Sequence, residues 1–408
     1  MANDGAPSRG LRVAIVGAGL GGLCAAGFLH RAGARVTVFE QAPELSAVGA
    51  GINMGPNAAR ILRYLGLADA LAEAGEMIET GWEFRRWQDA SVLFAQERDD
   101  RSRQRYGAHG YFIHRADLLD ILLRAVPREL IELGRTCTGA EQDESVARLT
   151  FADGSTAEAD VVIGADGIHS VVRDAVVDDA GPTAFSGLCA WRCLVPARQA
   201  PAFALRPAQT LWVGPGRHVA HYPIRNRAWV NAVAITPTII PRQAWSPESW
   251  VSAGDVSDLV AQFDGWDSRL TDLLAASTAA TRWPLLEREP LPRWSAGRIA
   301  LLGDSAHPMF PFLAQGAGQA FEDAACLSTC LAVARAADVA AALDRYQLLR
   351  MARATEVQRR SREASDEEHL PDGPEQRRRD EQLARHDPQE YNSWLYDHDA
   401  LAHAAQAN

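Results

Sequence analysis

Hydrophobic runs and polar punctuation divide the chain into a few distinct textures. LRVAIV at 11–16 is an unbroken apolar run rich in β-branched side chains, the pattern of a strand buried on both faces. A glycine-studded, uncharged stretch follows and reads as a turn and a buried helix to about Ala32; RVTVFE at 35–40 reads as a second strand. Together these predict a βαβ unit. APELSAVGAGINMGPN reads as loop, with Pro56 or Asn57 opening a helix through Leu65. Residues 80–115 mix aromatic and charged side chains and read as an antiparallel excursion; 116–125 reads as helix. Leu149–Ala152 and Ala157–Ile163, joined at Asp153-Gly154, predict a hairpin that runs into a buried strand.

From about Ala184 to Trp283 the texture becomes short alternating runs between turns: AWRCLV, LWV, HVAHYPI and WVNAVAI. That predicts a largely antiparallel sheet inserted into an α/β body. Arg298–Leu302 returns to buried-strand character, and helices follow to about residue 365. The charged stretch SREASDEEHLPDGPEQRRRDEQ reads as an exposed helix end or loop, and YNSWLYDHDA regains the aromatics needed to dock back on the body.

A length of 408 residues exceeds one simple core and predicts two or three domains or layers. The net charge of −11 argues against nucleic-acid binding, which needs a basic footprint. Every basic residue except histidine is arginine, so Schiff-base and P-loop lysines are excluded. None of the six cysteines forms a C-x-x-C pair; they read as small buried side chains in a reducing cytoplasm, and no metal site is expected. The uncharged stretch 13–29 is short for a membrane span and carries five glycines, so a cytoplasmic protein without a membrane span is expected.

Chemistry enters at the glycines. Gly17-Ala18-Gly19-Leu20-Gly21-Gly22 fits G-x-G-x-x-G between a strand and a helix. Gly17 allows the tight turn, Gly19 lets backbone approach a pyrophosphate, and Gly22 lets helix and strand pack closely. The helix N-terminus then offers free N–H groups and a positive dipole end to phosphate. Glu40 ends the second strand 18 positions beyond Gly22, placed to accept hydrogen bonds from ribose hydroxyls. This predicts a dinucleotide site without choosing between FAD and NAD(P). Two later strands also end in acids, VVIGADGIHS at Asp166 and IALLGD at Asp304, and a carboxylate at a strand end can hold a sugar or ribityl hydroxyl of the cofactor. A second Pro/Gly-rich turn, HPMFPFLAQGAGQ, then opens another helix.

GAGLGG with Glu40, HRADL with Arg115, GADGIHS with Asp166, and GDSAHPMFPFLAQGAGQAFEDA resemble, in order and over about Leu11 to Asp399, the single-component (group A) FAD-dependent aromatic hydroxylases. WPLLEREPLPRW and WLYDHD are similar to the salicylate, 3-hydroxybenzoate and 6-hydroxynicotinate hydroxylases within that family. The resemblance implies an α/β (α+β composite) fold like that of p-hydroxybenzoate hydroxylase. A discontinuous Rossmann-like FAD-binding domain would span 1–80, 106–183 and 284–340. A substrate-binding β-sheet domain would span 81–105 and 184–283, and a C-terminal helical segment 341–408. It implies tightly bound FAD, NADH or NADPH as co-substrate, and O2; one oxygen atom reaches a phenolic or N-heteroaromatic acid by way of a C4a-hydroperoxyflavin. A homodimer is a family expectation.

On the same resemblance Asp304 takes a ribityl hydroxyl, Pro311 lies beside the flavin ring, and Gly316-Ala317-Gly318 face its pyrimidine part, where a helix N-terminus stabilises negative charge. Arg115 spans the phosphate and sugar region; Gln41 and Cys137 make backbone contacts near the adenosine end. In GRHVAHYPI, His218 and Tyr222 share one face of a strand and His221 points the other way. The first two are the candidates for phenol activation and substrate binding, with Arg192, Gln315, Phe312 and Asn53 as further pocket residues, Asn53 also as a cofactor contact. The positions of Asn53 and Phe312 are histidines in 6-hydroxynicotinate hydroxylases, and neither residue here can act as a base. Two alternatives stay open: an FAD oxidase or dehydrogenase without oxygen insertion, and a non-enzymatic flavin-binding regulator.

Overall fold

The computed structural model describes residues 10–45, 50–238 and 252–407; the remainder, including 46–49 of the expected loop and 239–251 of the alternating region, lies outside the described residues. A six-stranded sheet runs Ser295–Ala296, Ile299–Leu301, Val161–Gly164, Arg12–Val16, Arg35–Glu40, Ile131–Leu133. All pairs are parallel except the first. Val13, Ala14, Ile15 and Val16 are all buried, as an unbroken apolar run at the centre of a covered sheet must be. Helix Leu20–Arg31 packs between helices Arg115–Leu123 and Gly316–Ala332, and a small sheet (137–142, 147–151, 156–159) adds Leu149 and Phe151 to the same core.

The alternating region forms an eight-stranded sheet in the order Ser252–Gly254, Ala280–Glu287, Ala184–Pro196, Trp229–Pro237, Arg217–Ile224, Ala208–Gly214, Thr80–Arg86, Val92–Glu97. It is antiparallel except where 80–86 runs parallel to 208–214. Alternation divides its two faces. Trp191, Trp212, Val219, Ala232 and Ala234 bury against helices Val256–Ala261 and Ser268–Ala275. Ala190, Arg192, His218, Ala220, Tyr222, Val233 and Ile235 face a cavity instead.

The structure departs from the sequence expectations where partners are distant. GINM is strand, not loop: Gly51–Met54 pairs with Tyr111–His114, and Asn231 Oδ1 takes the Gly51 N–H at 2.7 Å. The excursion at 80–115 contains a helix, Asp100–Tyr106, because Asp99 caps the Ser102 N–H and Gly107 ends it at φ 69°. The run 157–163 breaks at Asp160, whose carboxylate takes the Arg12 N–H at 2.8 Å, so its halves join different sheets. The charged stretch is only partly exposed: Ser361, Ser365, Glu368 and Gln376 are buried, and Arg86 reaches Asp372 and Asp380 across the fold. YNSWLYDHDA docks through buried Leu395 and Tyr396.

Candidate active site

Two glycine turns open on one cavity of about 450 Å³. In the first, two of the three motif glycines are fixed by packing. Gly17 has φ 105°, and a Cβ there would meet Ala165 O at 2.4 Å; a Cβ on Gly22 would meet Gly17 O at 2.1 Å. Gly19 is different: nothing lies within 4 Å of its Cβ position, and it begins helix Leu20–Arg31 without a side-chain cap. The free N–H groups of that helix therefore face open space, lined by Gly19, Leu20 and Gly21. Glu40 holds the Ala18 and Ala42 N–H groups at 2.8 and 2.9 Å.

The second turn repeats the device. Pro311–Leu313 form a 3₁₀ turn, Ala314 adopts φ 51°, and helix Gly316–Ala332 starts uncapped, with open space at the Gly316 Cβ position. Pro311, Gly316 and Ala317 line the cavity, while Gly318 turns to Ala58 and Asn57. Behind the turn lies a buried charge cluster. Arg350 donates to Asp323, Glu322 and Gln319 at 2.8, 2.7 and 2.7 Å; Asp323 also holds His307 and the Gly303 N–H. This clamps residues 303–307 to the helix. Asn57 and Gln319 both donate to Gln315 Oε1, so that end of the predicted substrate contact is spent inside the protein.

The two strand-end acids have separated. The Asp166 carboxylate faces inward: it accepts from Ser170 and Ser305 hydroxyls and from the Val171 and Val172 N–H groups. Arg173 donates to the carbonyls of Ser305, Ile168 and Gly167, so this corner is stapled to the 303–305 corner, and Asp166 positions the site from behind. Asp304 is walled by protein yet its carboxylate opens to the cavity, where burial pushes its pKa up against smaller pulls from His307, Arg115 and Arg173. Across from it, the Arg115 guanidinium makes no hydrogen bond or ion pair among the described residues, and burial pushes its pKa down. Gln41 is exposed, and Cys137 bonds Gly139 O through its thiol; neither lines the cavity.

The far end of the cavity is the face of the large sheet. His218 and Tyr222 both point in, and His221 points away to Trp212, as their spacing predicts. Tyr222 stacks on Phe112 at 4.6 Å, and burial raises its pKa. Arg192 sits two strands over, its guanidinium 4.6 Å from the Trp283 ring centre, with no acceptor or anion among the described residues. Burial lowers its pKa against a smaller opposing pull from Tyr222. Asn53, Phe310, Phe312 and Ile235 complete the wall. Gln209 also lines it and went unread in the sequence; its signal was a polar side chain in phase with Leu211 and Val213 on an otherwise buried strand.

Two helix N-termini aimed into one cavity, with a free guanidinium and a carboxylate between them, suit a long ligand with a central diphosphate and hydroxyls along its length; that is the architecture of an FAD-dependent oxidoreductase. Residues 10–361 match the family model described as "FAD binding domain". The chain is 42% identical over 95% of both sequences to a 3-amino-4-hydroxybenzoate 2-monooxygenase of Streptomyces cremeus. It is 38% identical, over 86% of this chain and 90% of the other, to a 6-hydroxynicotinate 3-monooxygenase of Pseudomonas fluorescens. Among solved structures, a salicylate hydroxylase substrate complex superposes with a TM-score of 0.84 at 29% identity, covering 98% of each chain. The chain belongs to the FAD-binding group A flavoprotein monooxygenases, enzymes that hydroxylate aromatic rings. Leu20, Gly21, Arg115, Asp304, Pro311, Gly316 and Ala317 line the cavity, and its open helix ends, with a guanidinium and a carboxylate unpaired among the described residues, are chemically suited to FAD.

Proposed function

We propose that the protein draws reducing equivalents from NADH or NADPH and inserts one oxygen atom of O2 into the ring of a phenol, or hydroxylated N-heteroaromatic, that carries a carboxylate. The observation supporting the acid is Arg192. Its guanidinium stays charged under any ordinary condition, and an enclosed charge without a counter-ion costs several kcal/mol. A substrate carboxylate supplies that counter-ion in bidentate geometry, with Trp283 holding the guanidinium plane. Bound FAD supplies the oxygen-activating chemistry. The chain's own residues do the rest: Arg192 fixes the acid, His218 and the Tyr222 hydroxyl address the phenolic oxygen, and Phe310, Phe312 and Ile235 keep water off the ring.

Similarity to the 3-amino-4-hydroxybenzoate enzyme puts an aminohydroxybenzoate first among candidates. Asn53 and Phe312 stand where histidines are expected for 6-hydroxynicotinate, which weighs against that substrate. The test is NADH and NADPH oxidation by the flavin-loaded protein with 3-amino-4-hydroxybenzoate, 4-hydroxybenzoate, salicylate and 6-hydroxynicotinate under ¹⁸O2. The expected result is an acid that accelerates oxidation and gains one labelled oxygen, while its decarboxylated phenol does neither efficiently. Flavin reduction by the aromatic alone, without nicotinamide, would instead identify an oxidase.

A further inference from the structure

The polar path does not stop at His218. Its Nδ1 lies 2.9 Å from Nε2 of His369, the first residue past helix Val339–Glu368. The Gly216 N–H donates to the His369 carbonyl at 2.9 Å, which pins that helix end to the start of the His218 strand. Phe312 packs edge-on against both rings, with centroids at 5.3 and 6.0 Å, and shields the contact from water. His218 is 4% exposed, whereas His369 is partly exposed. Nε2 of His218 has no protein partner among the described residues, and the ring lines the cavity. The two imidazoles thus connect the cavity to the surface.

We propose that His218 and His369 form a proton relay that carries the substrate's phenolic proton from the cavity to solvent. The inference rests on the reading of a phenolic substrate at His218. The step conserves charge and moves no electrons. The phenol O–H breaks as an N–H forms on His218 Nε2; the Nδ1 proton of His218 passes to Nε2 of His369; the Nδ1 proton of His369 leaves to water. Each ring must begin neutral, with one lone pair and one N–H. Burial and the neighbouring His369 hold the His218 pKa well down, and burial with Arg217 pushes that of His369 to about 4.

The other charged groups facing the pair come from three elements: Glu367 and Glu368 at the helix end, Arg379 on helix Pro374–Arg385, and Arg217 on the strand. Tyr391 of the docked tail lies beside Glu368. The Glu368 carboxyl is 3.1 Å from His218 Nδ1; burial, helped by Glu367 and opposed by Arg379, pushes its pKa well up. In its neutral form that carboxyl places no anion beside the rings to trap an imidazolium, and among the described residues it makes no hydrogen bond that would compete with His369 for the Nδ1 proton.

The test follows ionisation rather than turnover. Flavin-loaded full-length protein is mixed with 4-hydroxy-3-nitrobenzoate, bound as the phenol at low pH and then jumped to higher pH while phenolate absorbance is recorded. His369→Gln and His369→Phe, checked for retained flavin absorbance, are expected to slow phenolate formation about tenfold or more, within the range of general acid–base effects, at unchanged affinity. Added imidazole is expected to restore much of the rate. Wild-type rates in the variants, or slowing that imidazole does not relieve, would overturn the relay alone. A wild-type protein that does not bind or ionise the phenol would remove the phenolic-substrate reading, and the relay with it.

Discussion

Arg350 and Arg192 both sit inside the protein, and their surroundings differ completely. Arg350, 1% exposed, is saturated by Asp323, Glu322 and Gln319. Arg192 has an aromatic ring beside it and no anion among the described residues. The same contrast divides two aspartates. Asp323 is bonded to Arg350, His307 and the Gly303 N–H, and despite a burial penalty its pKa falls. Asp304 faces the cavity, and burial raises its pKa. Charges completed within the chain build the scaffold behind the second turn. Charges left incomplete mark where ligands supply the missing partner.

The largest effect that can break this comparison is on the scaffold side. Arg350→Leu removes the cation shared by two buried carboxylates, leaving Glu322 with Arg353 and Asp323 with His307, and should cost about 3 kcal/mol, read as a lower urea midpoint. Acid should act in the same direction. Glu322 and Asp323 both have depressed pKa values in the folded protein, so their contribution is complete above the ordinary carboxylate range near pH 4. It is lost as pH falls through the depressed folded values, and urea midpoints measured against pH should drop there in wild type and stay flatter in Arg350→Leu.

On the ligand side, Asp304→Ala should leave the urea midpoint of the flavin-free protein about unchanged, because its carboxylate opens to the cavity and makes no hydrogen bond or ion pair among the described residues. It should weaken FAD retention by about 10–100-fold, the worth of a charged hydrogen bond, measured by flavin fluorescence after dialysis. The smallest effect is expected at Tyr222→Phe: bound flavin unchanged and hydroxylation about tenfold slower, equivalent to about 1.4 kcal/mol. Unchanged turnover would remove the Tyr222 hydroxyl from the chemistry.

Much of this was legible in the sequence where a local rule leaves a local mark. Gly17 and Gly22 are written into the chain because backbone atoms occupy the space of their Cβ atoms. His218, Tyr222 and His221 sorted correctly by strand alternation, which needs no knowledge of the partners. What escaped depends on distant residues. Gly51–Met54 becomes strand only because Tyr111–His114 lies beside it. Asp166 has the same sequence context as Asp304, a strand end followed by small residues, and only the fold turns one inward and the other to the cavity. Glu368 and His369 sat in a run of charges whose sensible reading was solvent; the docking of that helix end against Gly216 put them beside His218.

The most direct measurement pairs one residue with one substrate group. Dissociation constants of an aromatic acid and its carboxamide are determined for flavin-loaded wild type and Arg192→Leu, from the perturbation of flavin absorbance. Wild type should prefer the acid by about 10²-fold, as expected for an enclosed charge pair, and Arg192→Leu should bind the two about equally. An acid preference that survives intact in Arg192→Leu would show that the carboxylate is held elsewhere and that the lone guanidinium has another purpose.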